Sequence, residues 1–285
     1  MFTIKKAVSE DFERVYPLLR SFGNSSISKE DWKRIFDSPW KTTEDFCGYL
    51  LLKDGNVKGY LGLIFSRRTL DDKTEKLCNM TSWIVDEDSR STSLLLLLEL
   101  LKLKDYTLTN FTASPTVATI LKKMGFKEFH VDQRVLLPIP QFTLPGRRNR
   151  CDFDLQVIRT KLGGNDLTIF DDHQGLKCLH LLLESENSYC YVVLKQTKRK
   201  NLPFAKVHYL SNVNVFHQSM DSLVANICVH FRVFGVMVDE RYIQGRKFRA
   251  SMKYPHQRKA FFKSNSVANE NCIDTLYSEL VILHA

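Results

Sequence analysis

The sequence predicts an α/β protein of two similar-sized lobes, and three observations carry that expectation. The chain has 285 residues, comfortable for two domains. It is 44% hydrophobic and 26% charged, a globular composition with room for a sizeable core. Segments of strand character alternate with segments of helical period up to residue 137, and part of that rhythm returns afterwards.

The elements follow in order. Phe2 to Lys6 reads as a short strand. Ser9 is a plausible N-cap for a helix with apolar positions Phe12, Val15, Leu18, Leu19 and Phe22, stopped by Gly23 and Asn24. A second helix spans Lys29 to Phe36. Gly48 to Lys53 and Val57 to Ser66 are strands joined at Asp54-Gly55, a strong hairpin signal. Asn79 to Val85 is a strand, Ser93 to Leu103 a helix, Asp105 to Phe111 a strand, and Pro115 to Met124 a helix stopped by Gly125. Phe126 to Leu137 holds the last strand of this lobe.

A connector is expected where Pro138, Pro140, Pro145 and Gly146 run into Arg147, Arg148 and Arg150, since proline fixes φ and removes backbone donors. This places the lobes at residues 1–140 and 141–285. In the second, Asp171 to Leu183 suggests a helix, and Tyr189 to Leu194 and Phe204 to Leu210 two strands. Phe216 to His230 is an amphipathic helix, Val233 to Val238 a strand, and Leu276 to Leu283 a last strand. Hairpin, helix and strand recur, which suggests a diverged structural repeat.

Composition narrows the function classes. The longest apolar run, Leu94 to Leu98, is cut by Glu99 and is far shorter than the ~20 residues of a membrane span. The first residues have no signal-peptide pattern. Seven scattered cysteines without a C-x-x-C pair argue against a disulfide framework or zinc site and suit a reducing, cytoplasmic setting. The net charge of +9 is uneven: residues 1–140 carry 21 Lys and Arg against 19 Asp and Glu, and residues 141–285 carry 20 against 13. Such an excess suits an anionic partner or an ordinary basic surface.

The stretch with chemistry in it runs from Trp83, Ile84 and Val85 through a polar loop to Arg90, Ser91, Thr92, Ser93 and Leu94. A strand feeds a loop that opens a helix predicted to be buried nearly all round. The first turn of a helix has amides without intrahelical partners and the positive end of the dipole, which together attract phosphate. Arg90 can add a charged fork and the hydroxyls further donors.

At Arg90-Ser91-Thr92-Ser93 and at Leu121-Lys122-Lys123-Met124-Gly125-Phe126, residues 1 to about 137 resemble the GNAT superfamily of acyl-CoA N-acyltransferases, and the order of elements matches. The resemblance implies two GNAT-like lobes, each a mixed, mostly antiparallel sheet flanked by helices. It implies an acyltransferase that moves an acetyl or other acyl group from acetyl-CoA or another acyl-CoA to an amine or hydroxyl acceptor. A non-catalytic acyl-CoA sensor or interaction module of the same fold is the alternative. It further implies that the pantetheine pairs with the backbone of the strand ending at Trp83, Ile84 and Val85. The thioester then sits where this strand splays from Asp105 to Phe111, and backbone amides polarise its carbonyl.

Two departures from the family pattern stand out. Ser93 and Leu95 occupy loop positions that are small in the family, so Leu95 either narrows the site or points into the core. Leu121 stands where many members have a tyrosine that protonates the departing thiolate. No general base is named by the sequence. Asn110, Thr112 and Ser114 could contact pantetheine or substrate, although Ser114 before Pro115 also reads as a helix cap.

Other candidates have ordinary readings beside them. Asp171-Asp172-His173 could be metal ligands or a helix end. Asp239-Glu240-Arg241 could supply a base or form a local ion pair. His180 and His230 fall near apolar helix positions, and His208 lies on a strand. Lys195, Lys198, Arg199 and Lys200 could bind phosphates or form a solvated turn. No nucleic-acid motif accompanies them.

Overall fold

The computed structural model describes residues 1–23, 27–37, 39–40, 42–70, 73–139, 150–254, 258–267 and 270–283. In chain order the first elements are β1 (Phe2–Ala7), α1 (Phe12–Arg20), α2 (Lys29–Phe36), β2 (Gly48–Lys53), β3 (Asn56–Leu70), β4 (Lys73–Val85) and α3 (Leu94–Leu100). They are followed by β5 (Thr107–Ala113), α4 (Pro115–Lys123) and β6 (Lys127–Phe129). The β2–β3 hairpin turns at Asp54 and Gly55, both at positive φ (50° and 81°), the conformation that glycine adopts at no steric cost. Ser28 caps α2 by accepting from the Asp31 amide. Ser9, expected as the cap of α1, instead opens a 3-10 turn, and the Asp11 carboxylate accepts the Val8 amide.

Next come β7 (Gln133–Leu136), β8 (Arg150–Asp152), α5 (Leu155–Lys161), α6 (Gly164–His173), β9 (Leu179–Glu184), β10 (Tyr189–Arg199) and β11 (Leu202–Leu210). Then follow α7 (Val213–Phe231), β12 (Gly235–Asp239), α8 (Glu240–Ile243), β13 (Ser251–Tyr254), β14 (Lys259–Lys263) and α9 (Glu279–Ile282). Among the described residues no helix is long and apolar enough to cross a membrane.

The strands form two mixed seven-stranded sheets, ordered β1-β2-β3-β4-β5-β14-β6 and β13-β7-β12-β11-β10-β9-β8. Each has four strands in antiparallel succession, one parallel step (β4 to β5, β11 to β12), and antiparallel pairing beyond it. The two lobes thus share one strand plan. Their closing strands come from elsewhere in the chain. β14 returns from near the C-terminus to lie between β5 and β6, and β7 lies between β12 and β13.

The compact units are therefore Met1–Phe129 with Arg258–Ala285, and His130–Gln257. The expected cut at residues 140 and 141 lies outside the described residues, as does the Asn24 helix stop. The single strand expected over Phe126 to Leu137 is two strands, β6 and β7, in different sheets.

Three further expectations are corrected. The helix expected over Asp171 to Leu183 ends at His173, and Leu179–Glu184 is β9, because the short apolar run finds its ladder partners on β10. Leu276 to Leu283 is not a strand: Ser278 caps α9 there. The leucine-rich helix α3 is buried on one face only. Leu96, Leu97 and Leu100 enter the core, whereas Leu94, Leu95 and Leu98 are 40%, 40% and 48% exposed.

The first lobe's core joins Leu61, Leu63, Cys78 and Met80 of the sheet to Leu96, Leu97, Leu100, Ala118 and Leu121 of α3 and α4. The second packs α7 (Phe216, Met220, Leu223, Val224, Ile227) on Leu181, Val192, Ala205 and Val236. In the second lobe His180 Nδ1 meets the Tyr191 hydroxyl at 2.7 Å, and burial, with His173 nearby, pushes its pKa down to about 4. The unfolded chain then takes up the proton first, near pH 6.5. The stability this histidine provides is full above about pH 6.5 and falls by about 3 kcal/mol as pH drops to about 4. Thermal melts across that range should show this slope, and His180→Gln should flatten it.

Candidate functional site

β4 and β5 are paired for only three residues, Leu77 with Thr107, Cys78 with Leu108 and Asn79 with Thr109. Past that point β4 stays with β3 while β5 follows β14, and a notch opens between them. The divergence has a local cause. The β3–β4 register slips between Tyr60 and Gly62, so that Ser82 and Trp83 together oppose Leu61, and Ser82 has φ +50°. Such a bulge bends its strand and adds twist. Gly62 permits it: a Cβ there would lie 2.9 Å from Thr81 Cγ2 and 3.1 Å from the Tyr60 ring. Trp83, Ile84 and Val85, expected to face the cofactor, lie half-buried on β4 just past the bulge.

The loop beyond β4 is anchored at its base. The Asp86 amide donates to Lys58 O at 2.8 Å, and the Lys58 ammonium pairs with the Asp86 carboxylate at 3.1 Å. Glu87–Thr92 coil as a 3-10 turn before α3 begins, Ser89 is buried, and Thr92 Oγ1 donates to Ser89 O at 2.7 Å. No side chain caps the 3-10 turn or α3. Arg90 and Ser91 are exposed, Thr92 and Ser93 half-buried, and Arg90 Nη2 reaches Glu87 Oε1 at 3.2 Å in solvent. Leu94 and Leu95 are also at the surface, so Leu95 does not enter the core.

The corresponding place in the second lobe is closed by its own side chains. Only Ser211 and Asn212 separate β11 from α7. Asn212 Oδ1 accepts the Asn214 and Val215 amides at 3.1 and 3.2 Å, and Ser211 Oγ accepts the Tyr191 amide. The amides that could meet an anion are already used there.

The mouth of the first-lobe notch is polar. Asn110 Nδ2 spans it, donating to Met80 O at 2.9 Å, the first carbonyl past the paired residues. Thr109 Oγ1 donates to Asn79 Oδ1 at 3.2 Å. The Glu279 carboxylate, on α9, accepts from Asn79 Nδ2 with one oxygen and from Thr112 Oγ1 at 2.8 Å with the other. It is 5% exposed. Sequence reasoning did not single out Glu279. Its only signal was Ser278-Glu279 ahead of an apolar run, 200 residues from Asn79.

The remaining candidates take simpler roles. Ser114 is exposed and its hydroxyl caps α4, accepting the Val117 amide at 3.4 Å. Leu121 is fully buried in the core, so no phenol stands at its position. Asp171 pairs with Arg159 at 3.1 Å, and His173 Nδ1 meets Ile169 O. Asp239 caps α8 and grips Arg241. His180 and His208 lie on β9 and β11, and His230 stacks on Phe153. Lys195 is buried, leaving Lys198, Arg199 and Lys200 exposed at the hairpin tip.

No family model and no curated protein sequence matches the chain. Solved structures do. A GCN5-related N-acetyltransferase from Anabaena variabilis ATCC 29413 is 11% identical with TM-score 0.62, over 92% of this chain and 72% of that one. A conserved protein from Enterococcus faecalis V583 is 10% identical with TM-score 0.61, over 93% and 72%. A GCN5-related N-acetyltransferase from Kribbella flavida is 12% identical with TM-score 0.57, over 92% and 70%. With its splayed β4–β5 pair, its bulge and its strand–loop–helix, the chain has the fold of the GCN5-related N-acetyltransferases.

Proposed function

We propose that the chain is an acyl-CoA-dependent acyltransferase whose first lobe holds the cofactor. The observation that carries this reading is the contrast between the lobes. In the first, an eight-residue segment, Asp86 to Ser93, precedes an uncapped helix beside a splayed strand. In the second, a two-residue link is self-capped.

The residues suit the group. Arg90, Ser91, Thr92 and Ser93 would meet the diphosphate, with the loop amides as donors. The β4 edge at Trp83, Ile84 and Val85 would take the pantetheine amides as a further strand. Asn110 keeps the strands tied at the vertex of the notch. When bound, acyl-CoA supplies an activated acyl carbon. Backbone donors of β4 would face its carbonyl oxygen, where charge develops in the transition state. With Leu121 in place of a phenol, the thiolate would leave without a protein acid there. A thiol is acidic enough for that.

Leu121 and the exposed Leu95 favour the second reading, a non-catalytic acyl-CoA-binding protein. Calorimetric titration with acetyl-CoA should give saturable binding. Absence of heat at millimolar cofactor would overturn both readings. Release of free CoA thiol in the presence of amines selects the transferase, and binding without release selects the sensor.

A further inference from the structure

We propose that the tip of the β10–β11 hairpin, with the adjoining end of α7, docks on an anionic phospholipid surface. The proposal goes beyond the acyltransferase reading and does not rest on it, since every residue involved belongs to the second unit, His130–Gln257. From Tyr189 to Leu210 the hairpin carries Lys195, Lys198, Arg199, Lys200 and Lys206 and no aspartate or glutamate. Lys198, Arg199 and Lys200 are exposed at the tip, and Arg232, which follows α7, is exposed too. None of these four cations has a carboxylate partner among the described residues. Arg134, Arg150, Arg159 and Lys161 of the same unit do have such partners.

The tip is tied to the end of α7 through Phe234. Arg199 pairs with Leu202 and Lys198 with Pro203 across the hairpin, and Lys200 and Asn201 form the two-residue turn. The Phe234 amide donates to Pro203 O at 2.7 Å, and its ring meets the Phe204 ring edge-on at 5.6 Å. Arg232 lies two residues earlier. Leu202 is 43% and Phe234 49% exposed. By the alternation of strands, Leu202, Phe204 and Arg199 share one face of the hairpin. Lys200 and Asn201 have φ of 47° and 66°. Such a turn favours asparagine or glycine, so the turn itself does not account for a lysine at its first position.

Cations without counter-charges select an anionic partner, and the apolar pair beside them selects among anionic partners. A nucleic acid binds through cations on its phosphates and through stacking on aromatic rings, which leaves Leu202 idle. An anionic bilayer uses both kinds of side chain. Lys and Arg meet the headgroups, while Leu and Phe enter the boundary between headgroups and acyl chains. The long stems of Lys and Arg let the charges stay at the headgroups as the apolar pair sits deeper. This is contact with a surface, not passage through it.

The test uses the full chain without acyl-CoA, so its failure leaves the acyltransferase reading untouched. Co-sedimentation is measured with vesicles of phosphatidylcholine alone and of phosphatidylcholine with about one third phosphatidylserine. Binding to the mixed vesicles should be at least about tenfold tighter and should weaken as salt rises. Lys198→Gln with Arg199→Gln should lower the partition coefficient by about 10- to 30-fold. Leu202→Ser and Phe234→Ser should each lower it about three- to tenfold. Leu202 is at the exposed hairpin end, so its variant tests the apolar contribution even where Phe234→Ser unfolds. Equal partition onto both vesicles, or none, would overturn the proposal. So would unchanged vesicle binding by Leu202→Ser and Phe234→Ser. Gel retardation of a short DNA duplex by a chain that ignores both vesicles would overturn it in favour of a nucleic acid.

Discussion

Asp274→Ala should lower the thermal midpoint of the first lobe by roughly 6–20 °C, at about 2–4 °C per kcal/mol. Asp274 Oδ1 lies 2.6 Å from Arg68 Nη1, and the two side chains are 9% and 4% exposed. The Arg68 guanidinium also sits 5.3 Å from the centre of the Tyr277 ring, which packs on Trp40 at 4.9 Å. Removing one member of a buried ion pair leaves a charge in a low-dielectric site and costs about 3–5 kcal/mol. The same carboxylate accepts the Leu276 amide, so the turn leading to Glu279 loosens as well. Lys29→Ala is the control. Its pairing with Glu13 is exposed and worth no more than about 1 kcal/mol. Differential scanning calorimetry of both variants decides, and an Asp274→Ala midpoint no lower than that of Lys29→Ala would show that the pair does not pin the C-terminal segment.

Arg90→Glu should weaken acetyl-CoA binding by about tenfold to hundredfold, or roughly 1.4–2.8 kcal/mol. The side chain is 69% exposed and its one recorded partner is Glu87, so reversal leaves the fold intact. It places a second carboxylate where the diphosphate is expected, beside amides that no side chain caps. Because the site is open, the effect should shrink as salt rises. Arg90→Gln should fall between the two. Wild-type affinity in Arg90→Glu, measured by calorimetry at low salt, would mean that the loop does not hold the diphosphate.

Much of the local structure was legible in the residues. Asp54-Gly55 demanded a two-residue turn, Ser114-Pro115 a helix start, and Phe216 to Ile227 a helix with one apolar stripe. Short apolar runs were not. Leu179 to Leu183 and Leu280 to Ile282 are both short apolar runs, yet one is a strand and the other helical, because the first has β10 to pair with and the second has Ser278 to cap it. The α3 leucines misled differently: their run looks buried all round, but helical geometry turns Leu94, Leu95 and Leu98 outward.

By itself the sequence determined where most segments coil, extend or turn, the short apolar runs excepted, and that Arg90 follows a strand and precedes a helix. Those outcomes depend on neighbours within a few residues. Tertiary structure alone decided that β7 and β14 close the two sheets and that Glu279 stands beside Asn79. Strand partnership is a contest among distant edges, settled by burial and free backbone groups. No local period or spacing records its winner.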